Sequence, residues 1–436
     1  MSLPDLIRIC FLSALLMLQA AHGAEITGTP VVINEHQALK LFFERNLDLI
    51  LAHYDIERGA AEQIIAAALP NPRVDAELSE INEMIWNKQV SPNTALSWPQ
   101  GAFPAWMVRI EQMIITAGKR TLRMESSELG TRALEYDLRD TVRVLGNALR
   151  HAYYDLLLAQ KTAELAQNNL DRYHSILHAN KTRLDIGDIA EYDYTRIEVE
   201  ALNAENDVGA SLAELKRTQA ELLLLLGWPE NAFNIQAAEQ WSVIGSEQGG
   251  KSQNEQVVRA LEKRPDLAAA RTRVAQAEKD RELAKRLVIP DITLHGYYMK
   301  DPGNFFTDQG GVGFETDLPL FYRQEGEIAS AEVNLNKAQL FIRQTEQGIR
   351  GDVMKTQAAW KKAEEITRRF ELSTLSRIKM LRKSAEIAYQ KGASGFLELL
   401  DAEHNYKTMM QEYYNALANR STAWADLVMA TGEEVH

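Results

Sequence analysis

The chain has one cysteine, Cys10, and it lies within the first 23 residues. Beyond that point a disulfide framework, a zinc–thiolate site and a thiol nucleophile are all excluded. No stretch approaches the ~20 continuous apolar residues that a membrane-spanning helix needs. HExxH and GxSxG are both missing, so the sequence points away from an enzyme. Basic residues are in deficit, giving a formal net charge of −13, which argues against a nucleic-acid partner. Proline is absent from Ala105 to Trp228 and again from Leu320 to His436. Because proline breaks helix interiors, these tracts are expected to form very long helices.

The opening stretch MSLPDLIRICFLSALLMLQAAHGAE carries Arg8, an apolar core from Ile9 to Leu18, and small residues around Ala21 and Gly23. Residues 1–23 are therefore expected to be a cleaved secretory signal, with a retained anchor as the alternative. Small residues do not lead up to Cys10, so no lipid anchor is expected there.

Both proline-free tracts are rich in good helix formers, and Ile328, Leu335, Ile342 and Ile349 recur every seven residues. Helices are expected over 118–185 and 324–391, each roughly 100 Å long at 1.5 Å per residue. Shorter ones are expected near 34–69, 188–226, 251–288 and 395–431. Gly187 and Gly392 mark places where such tracts can reverse. The halves read as an internal two-fold repeat, residues 24–226 and 251–436, joined by a segment of mixed character over 227–250.

Residues with a different period interrupt each half. Val74, Ala76 and Leu78 alternate with polar neighbours, as do Trp106, Val108 and Ile110. Ile292, Leu294, Gly296 and Tyr298 alternate likewise, and so do residues from Val312 to Leu320. Period two is a strand signal, so hairpins are expected over about 72–115 and 290–321. Trp86, Trp98, Phe103, Phe305 and Phe306 lie around the two hairpin loops, where an interfacial aromatic belt would sit. Four strands cannot close a barrel, and open edges cannot face lipid. A membrane role therefore needs several chains, three of which would supply twelve strands; a soluble four-stranded sheet is the alternative.

Six stretches in this order, ALKLFFERNLDLILAHYDIERGAAEQIIAAALPNPRV, GKRTLRMES, LLLLLGWPE, EKRPDLAAARTRVAQAEKDRELAKRLVIPDITLHG, GVGFETDLPLFYRQEGEIASAE and YQKGASGFLELLDAEHNY, resemble the outer membrane efflux protein family, the TolC-like channels. The likeness spans about Val32 to Gly432 and is strongest to the heavy-metal and cation efflux branch. It implies a mainly α fold with a β-barrel portion. A trimeric, twelve-stranded outer-membrane barrel would continue into a long α-helical periplasmic barrel, with 227–250 in an equatorial belt. The implied function is a passive exit duct for metal cations or small toxic compounds. Its partners would be a homotrimer, a periplasmic adaptor, an inner-membrane pump and outer-membrane lipid. A type I protein secretion duct on the same fold, or a soluble periplasmic coiled-coil scaffold, are the alternatives.

The resemblance also implies site residues. Glu398 and Asp401, three apart on one helix face, match the family's constriction acids; Asp193 occupies the matching place after Gly187 in the same gate, and Tyr389 matches a tip tyrosine of the family's closed-state network. Acids near a helix start also complement the helix dipole with no further role. Gly187, Gly392, Ala393, Ser394 and Gly395 match the tips where the adaptor docks; loop flexibility would equally explain these small residues. Ser394 departs from the arginine of the family's latch. His174 and His178 have a metal-compatible spacing but no third ligand nearby in sequence, so no metal and no cofactor is expected. TAGKRT (116–121) lacks the spaced glycines of a phosphate loop.

Overall fold

The two proline-free tracts supply the longest helices of the computed structural model, which describes residues 31–79, 105–228, 234–239, 241, 252–300 and 308–433. The leader with Cys10, the residues Trp86, Trp98, Phe103, Phe305 and Phe306, and most of the 227–250 segment lie outside the described residues. In chain order the elements are β1 (Val31–Ile33), α1 (Glu35–Arg45), α2 (Leu47–Ala67), β2 (Arg73–Ser79), β3 (Ala105–Ile114), α3 (Lys119–Asp185) and α4 (Glu191–Leu225). There follow β4 (Ile235–Ala237), α5 (Gln253–Lys263), α6 (Pro265–Arg286), β5 (Ile292–Lys300), β6 (Asp308–Glu315), α7 (Glu325–Arg369), α8 (Leu375–Gln390) and α9 (Phe396–Thr431).

Three helices differ from expectation, each for a local reason. The helix expected over 34–69 breaks at Asn46. Its amide oxygen accepts the Leu49 N–H at 3.1 Å, capping α2, while its amide nitrogen donates to the Leu225 carbonyl at 2.8 Å. The one expected over 251–288 breaks at Arg264, held extended before Pro265, the first residue of α6. In the third, a five-residue π turn, Phe370–Thr374, separates α7 from α8.

The described residues form two compact units, each drawing on both halves of the sequence. The first takes residues up to Ile50, Val142–Lys263 and Gly351 onward. Here Asn34 and Gln37 form a capping box at the start of α1, with reciprocal bonds of 2.8 and 3.0 Å. Glu35, beside it, accepts from the Tyr154 hydroxyl at 2.6 Å and from Arg150 at 2.8 Å. Tyr153 packs edge-on against Tyr154 and donates to the Ala238 carbonyl at 3.0 Å, just past the short parallel pair of β1 and β4. Burial, reinforced by Glu35, pushes the Tyr153 hydroxyl up to about 12. On the other long tract, Trp360 meets Trp424 of α9 at 5.8 Å between ring centroids.

The second unit takes Leu51–Thr141 and Arg264–Arg350. Its buried helical positions include Ala133, Ala269, Ala270 and Ala284, small residues that let backbones approach closely. Its sheet is antiparallel throughout, in the order β2-β3-β5-β6. The strand expected to run from Val312 to Leu320 ends at Glu315. Beyond it Thr316 turns its hydroxyl onto the Asp291 carbonyl, and Pro319 has no N–H to offer a ladder.

Register places Val74, Leu78, Trp106, Ile110, Ile114, Ile292, Leu294, Tyr298, Val312 and Phe314 on one face, and every one of them is exposed. The other face carries Arg73, Asp75, Glu77, Arg109, Glu111, Thr293, His295, Tyr297 and Glu315. On that face the His295 and Tyr297 rings lie over Gly313 and Gly311, where a Cβ would come within 2.7 Å of either ring. A soluble sheet hides its apolar face, whereas this one leaves it bare.

One ion pair in the first unit carries a pH signature. His151 Nε2 lies 2.8 Å from Asp426 Oδ1, and this hydrogen bond raises the histidine above its ordinary 6.5. Burial pushes Asp426 upward, but His151 and Asn147 outweigh it and hold the carboxyl below its ordinary 3.8. The raised histidine stabilises the fold fully below pH 6.5, and that contribution fades as pH rises through its folded value; the depressed aspartate contributes above pH 3.8. His151→Gln is therefore expected to lower the melting temperature more near pH 5.5 than near pH 9. Both side chains are about a third exposed, so the difference should be only about 0.5 kcal/mol.

Candidate functional site

Two helical hairpins of the first unit converge at their turns. One joins α3 to α4 and the other joins α8 to α9. Gly187 and Gly392 have φ of 75° and 68°, the left-handed region that ends helices. Each makes the same pair of bonds. Gly187 N–H reaches Leu184 O and Asp188 N–H reaches Arg183 O, at 2.9 and 2.8 Å. Gly392 N–H reaches Tyr389 O and Ala393 N–H reaches Ala388 O, at 3.0 and 2.8 Å.

The departing helices start alike. Ala190 caps α4 and Gly395 caps α9, neither through a side chain. Asp193 and Glu398 both stand at the third helical position, where a carboxylate complements the exposed N–H groups. Glu398 and Asp401 are exposed, on the side of α9 away from the buried Leu399, Leu400 and Ala402. Neither makes an ion pair among the described residues. Asp193 is half-buried. Ala393 is exposed, while the Ser394 hydroxyl is enclosed without a hydrogen-bond partner among the described residues.

Beneath the turns, Tyr173, Ile176, Ile197, Ala201, Leu399 and Leu400 form an apolar cluster that Tyr389 and Phe396 cover. Tyr389 does not bond Asp193. Its hydroxyl donates to the side-chain oxygen of Asn180, which is 1 % exposed, and its ring carries the Arg183 guanidinium 5.3 Å from the centroid. Arg183 also donates to Asp188 at 2.7 Å, so one cation links the first turn to the second hairpin. Deeper in, Arg172 bridges Glu386 at 2.6 Å and Glu403 at 3.0 Å, and Glu403 is 3 % exposed.

The sequence reading did not single out Asn180, Arg183, Asp188, Arg172 or Glu403. The sequence shows Asn180 only as one asparagine amid good helix formers, and the ion pairs join residues up to 231 positions apart. His174 lies 3.7 Å from Glu205. Among the described residues no group of three or more His, Cys, Asp or Glu is placed to hold a metal. TAGKRT is the β3-to-α3 turn, with Ala117 and Gly118 at positive φ.

With this geometry in place, comparison with known proteins gives a family. The family model for outer membrane efflux proteins matches residues 38–228 and 257–433. The chain belongs to the outer membrane efflux protein family. It is 20 % identical over 366 residues to the cobalt-zinc-cadmium resistance protein CzcC of Cupriavidus metallidurans, covering 84 % of this chain and 82 % of that protein. It is 23 % identical over 252 residues to the pyoverdine export outer membrane protein OpmQ of Pseudomonas aeruginosa, covering 57 % of this chain and 52 % of that protein. Its fold matches the CmeC outer membrane channel of Campylobacter jejuni with a TM-score of 0.77, at 17 % identity, over 94 % of this chain and 90 % of that one. The outer membrane is thus its location, and the resemblance to the heavy-metal efflux branch is matched by CzcC.

Two outcomes follow for the tips. Gly187→Val and Gly392→Val force a branched side chain into left-handed backbone and should each cost about 1–2 kcal/mol, read by thermal melting. Arg172→Met leaves Glu403 buried and short of its cation, and should cost about 3 kcal/mol in the same assay.

Proposed function

We propose that three copies of the chain assemble into one passive duct. Their four-stranded sheets would close a twelve-stranded barrel in the outer membrane, and their helices would continue it as a tunnel in the periplasm. The observation that carries this is the inverted sheet, with its apolar face bare, its polar face opposite, and β2 and β6 unpaired at its edges among the described residues. Lipid accepts an apolar face but not unpaired edges, and only closure with further strands satisfies both demands.

The two helical hairpins then form the periplasmic mouth of the duct. Glu398 and Asp401, exposed and without an ion pair among the described residues, become stacked rings of carboxylates under three-fold symmetry, with Asp193 and Tyr389 beside them in the constriction. Such rings favour cations and repel anions. Gly187, Gly392, Ala393, Ser394 and Gly395 offer a low-profile surface to the helical tips of a periplasmic adaptor, through which an inner-membrane pump supplies the driving force. Cargo is read as metal cations or small toxic compounds. CzcC is named for cobalt, zinc and cadmium and OpmQ for pyoverdine, so the fold alone does not select the class. The duct performs no chemistry of its own.

The purified protein is expected to need detergent and to sediment as a trimer; a monodisperse monomer in plain buffer overturns the assembly. In planar bilayers, the double variant Glu398→Ala, Asp401→Ala should shift the reversal potential in a salt gradient toward non-selectivity and relieve block by divalent cations. Unchanged selectivity removes the ring assignment while leaving the duct intact.

A further inference from the structure

Along α3, Asn147, His151 and Asp155 recur every four residues, and α4 and α9 meet that face in an open groove of about 610 Å³. Its lining is mostly apolar, with Val144 and Ala148 from α3, Leu224 and Leu225 from α4, and Met429 from α9. Val144 and Leu224 are exposed, at 43 % and 81 %. The polar groups set into this lining are satisfied unequally. Asp426 has His151 and Asn147, both at 2.8 Å. Glu221 has Arg217, which also bonds Glu214. Asp155 makes no hydrogen bond and no ion pair among the described residues. It is open to the groove yet flanked by protein, and this desolvation, with Glu221 adding to it, raises its carboxyl above the ordinary 3.8 against the pull of His151 and Arg217. Asn147, 8 % exposed, gives its amide nitrogen to Asp426 and leaves its side-chain oxygen without a partner among the described residues. The groove is thus short of one cation and one hydrogen-bond donor.

We infer that this groove binds an elongated amphipathic organic cation, with its charged end on Asp155 and an N–H donor on the side-chain oxygen of Asn147. The two acceptors lie eight residues apart on α3, about 12 Å along the helix, so a single ammonium head does not reach both. A ligand that spans them lays its apolar body on Ala148, Ala152 and Leu224. The volume suits a molecule of a few fused rings, and an apolar lining with a few polar groups is the usual form of such a site. A hydrated metal ion fits poorly against these walls, and no metal-holding group of three side chains is placed here among the described residues. An anion would meet Asp155 and Glu221. As a binding site the groove is complete within one chain. Only its place on a cargo's route rests on the duct reading, to which it adds a substrate class, organic amines of this shape.

Ethidium, a flat aromatic cation with amino groups at both ends, is the probe, titrated by its fluorescence against the purified full chain in detergent. The wild type is expected to bind it saturably at one site per chain. Asp155→Asn removes the charge and keeps the shape, and should weaken binding about tenfold, the worth of one charge-assisted contact. Leu224→Lys, at an exposed position, sets a tethered ammonium over the groove and should weaken binding as well. In a Cys10→Ser, Leu224→Cys chain, ethidium should slow labelling by a charged maleimide. Absence of saturable binding overturns the inference, as does unchanged affinity in Asp155→Asn; if that variant fails to fold, Leu224→Lys decides in its place. A Leu224→Cys thiol closed to maleimide without ethidium also overturns it, since another copy then covers the groove. Binding abolished in Glu398→Ala, Asp401→Ala but not in Asp155→Asn moves the probe to the mouth, which overturns this site and leaves the duct standing. A chain that sediments as a monomer yet binds through Asp155 removes the duct and leaves the site.

Discussion

The carboxylate of Asp291 stands where the chain changes from helix to strand, and several separate connections meet on it. It accepts the Thr116 N–H and the Lys119 ammonium, both at 2.8 Å, while its own carbonyl takes the Thr316 hydroxyl. One residue thus joins the end of β3, the start of α3, the entry to β5 and the exit from β6. Lys119 is 3 % exposed at its side chain, so the pair is sheltered from the screening that weakens surface ion pairs. Strand register and the starting point of the longest helix both depend on this contact, because a one-residue slip in β3 or β5 would exchange the two faces of the sheet.

The helical hairpin tips are organised on a different balance. Their acids at the third helical position are locally favourable through the helix dipole whatever else they do, so the same carboxylates are compatible with a structural role and with a pore. What distinguishes Glu398 and Asp401 is that neither makes an ion pair among the described residues, whereas Glu403, two residues beyond Asp401, is buried and held by Arg172. A chain that pairs its inward carboxylate and leaves two outward ones bare concentrates negative potential on one surface. Near the second turn, Arg183 of the first hairpin contributes a cation to Tyr389.

Much of this architecture was legible in the sequence because its signals are local and repeated. Missing prolines marked α3 and the α7–α8 tract to within a residue or two, and period-two alternation marked all four strands of the sheet. The tip glycines were found because left-handed backbone selects them. The errors were local also. Asn46 looks like a tolerable helix residue until its side chain finds the Leu225 carbonyl, and Pro265 sits one residue past a break that helix composition on both sides conceals. The π turn at Phe370–Thr374 has no compositional mark. The network of Asn180, Arg183, Asp188 and Tyr389 could not be read in advance, since it depends on which faces of separate helices meet.

The edges of β2 and β6, unpaired among the described residues, bear on the order of events as well as on the final state. In water a lone chain exposes the apolar face of its sheet; in lipid it exposes two rows of unsatisfied peptide groups, each costing several kcal/mol. Neither solvent suits one chain alone. On the three-copy reading, the strands reach their final environment only alongside those of their neighbours. Membrane insertion then becomes a reaction of higher than first order in chain, so the rate of export sets whether a barrel forms at all.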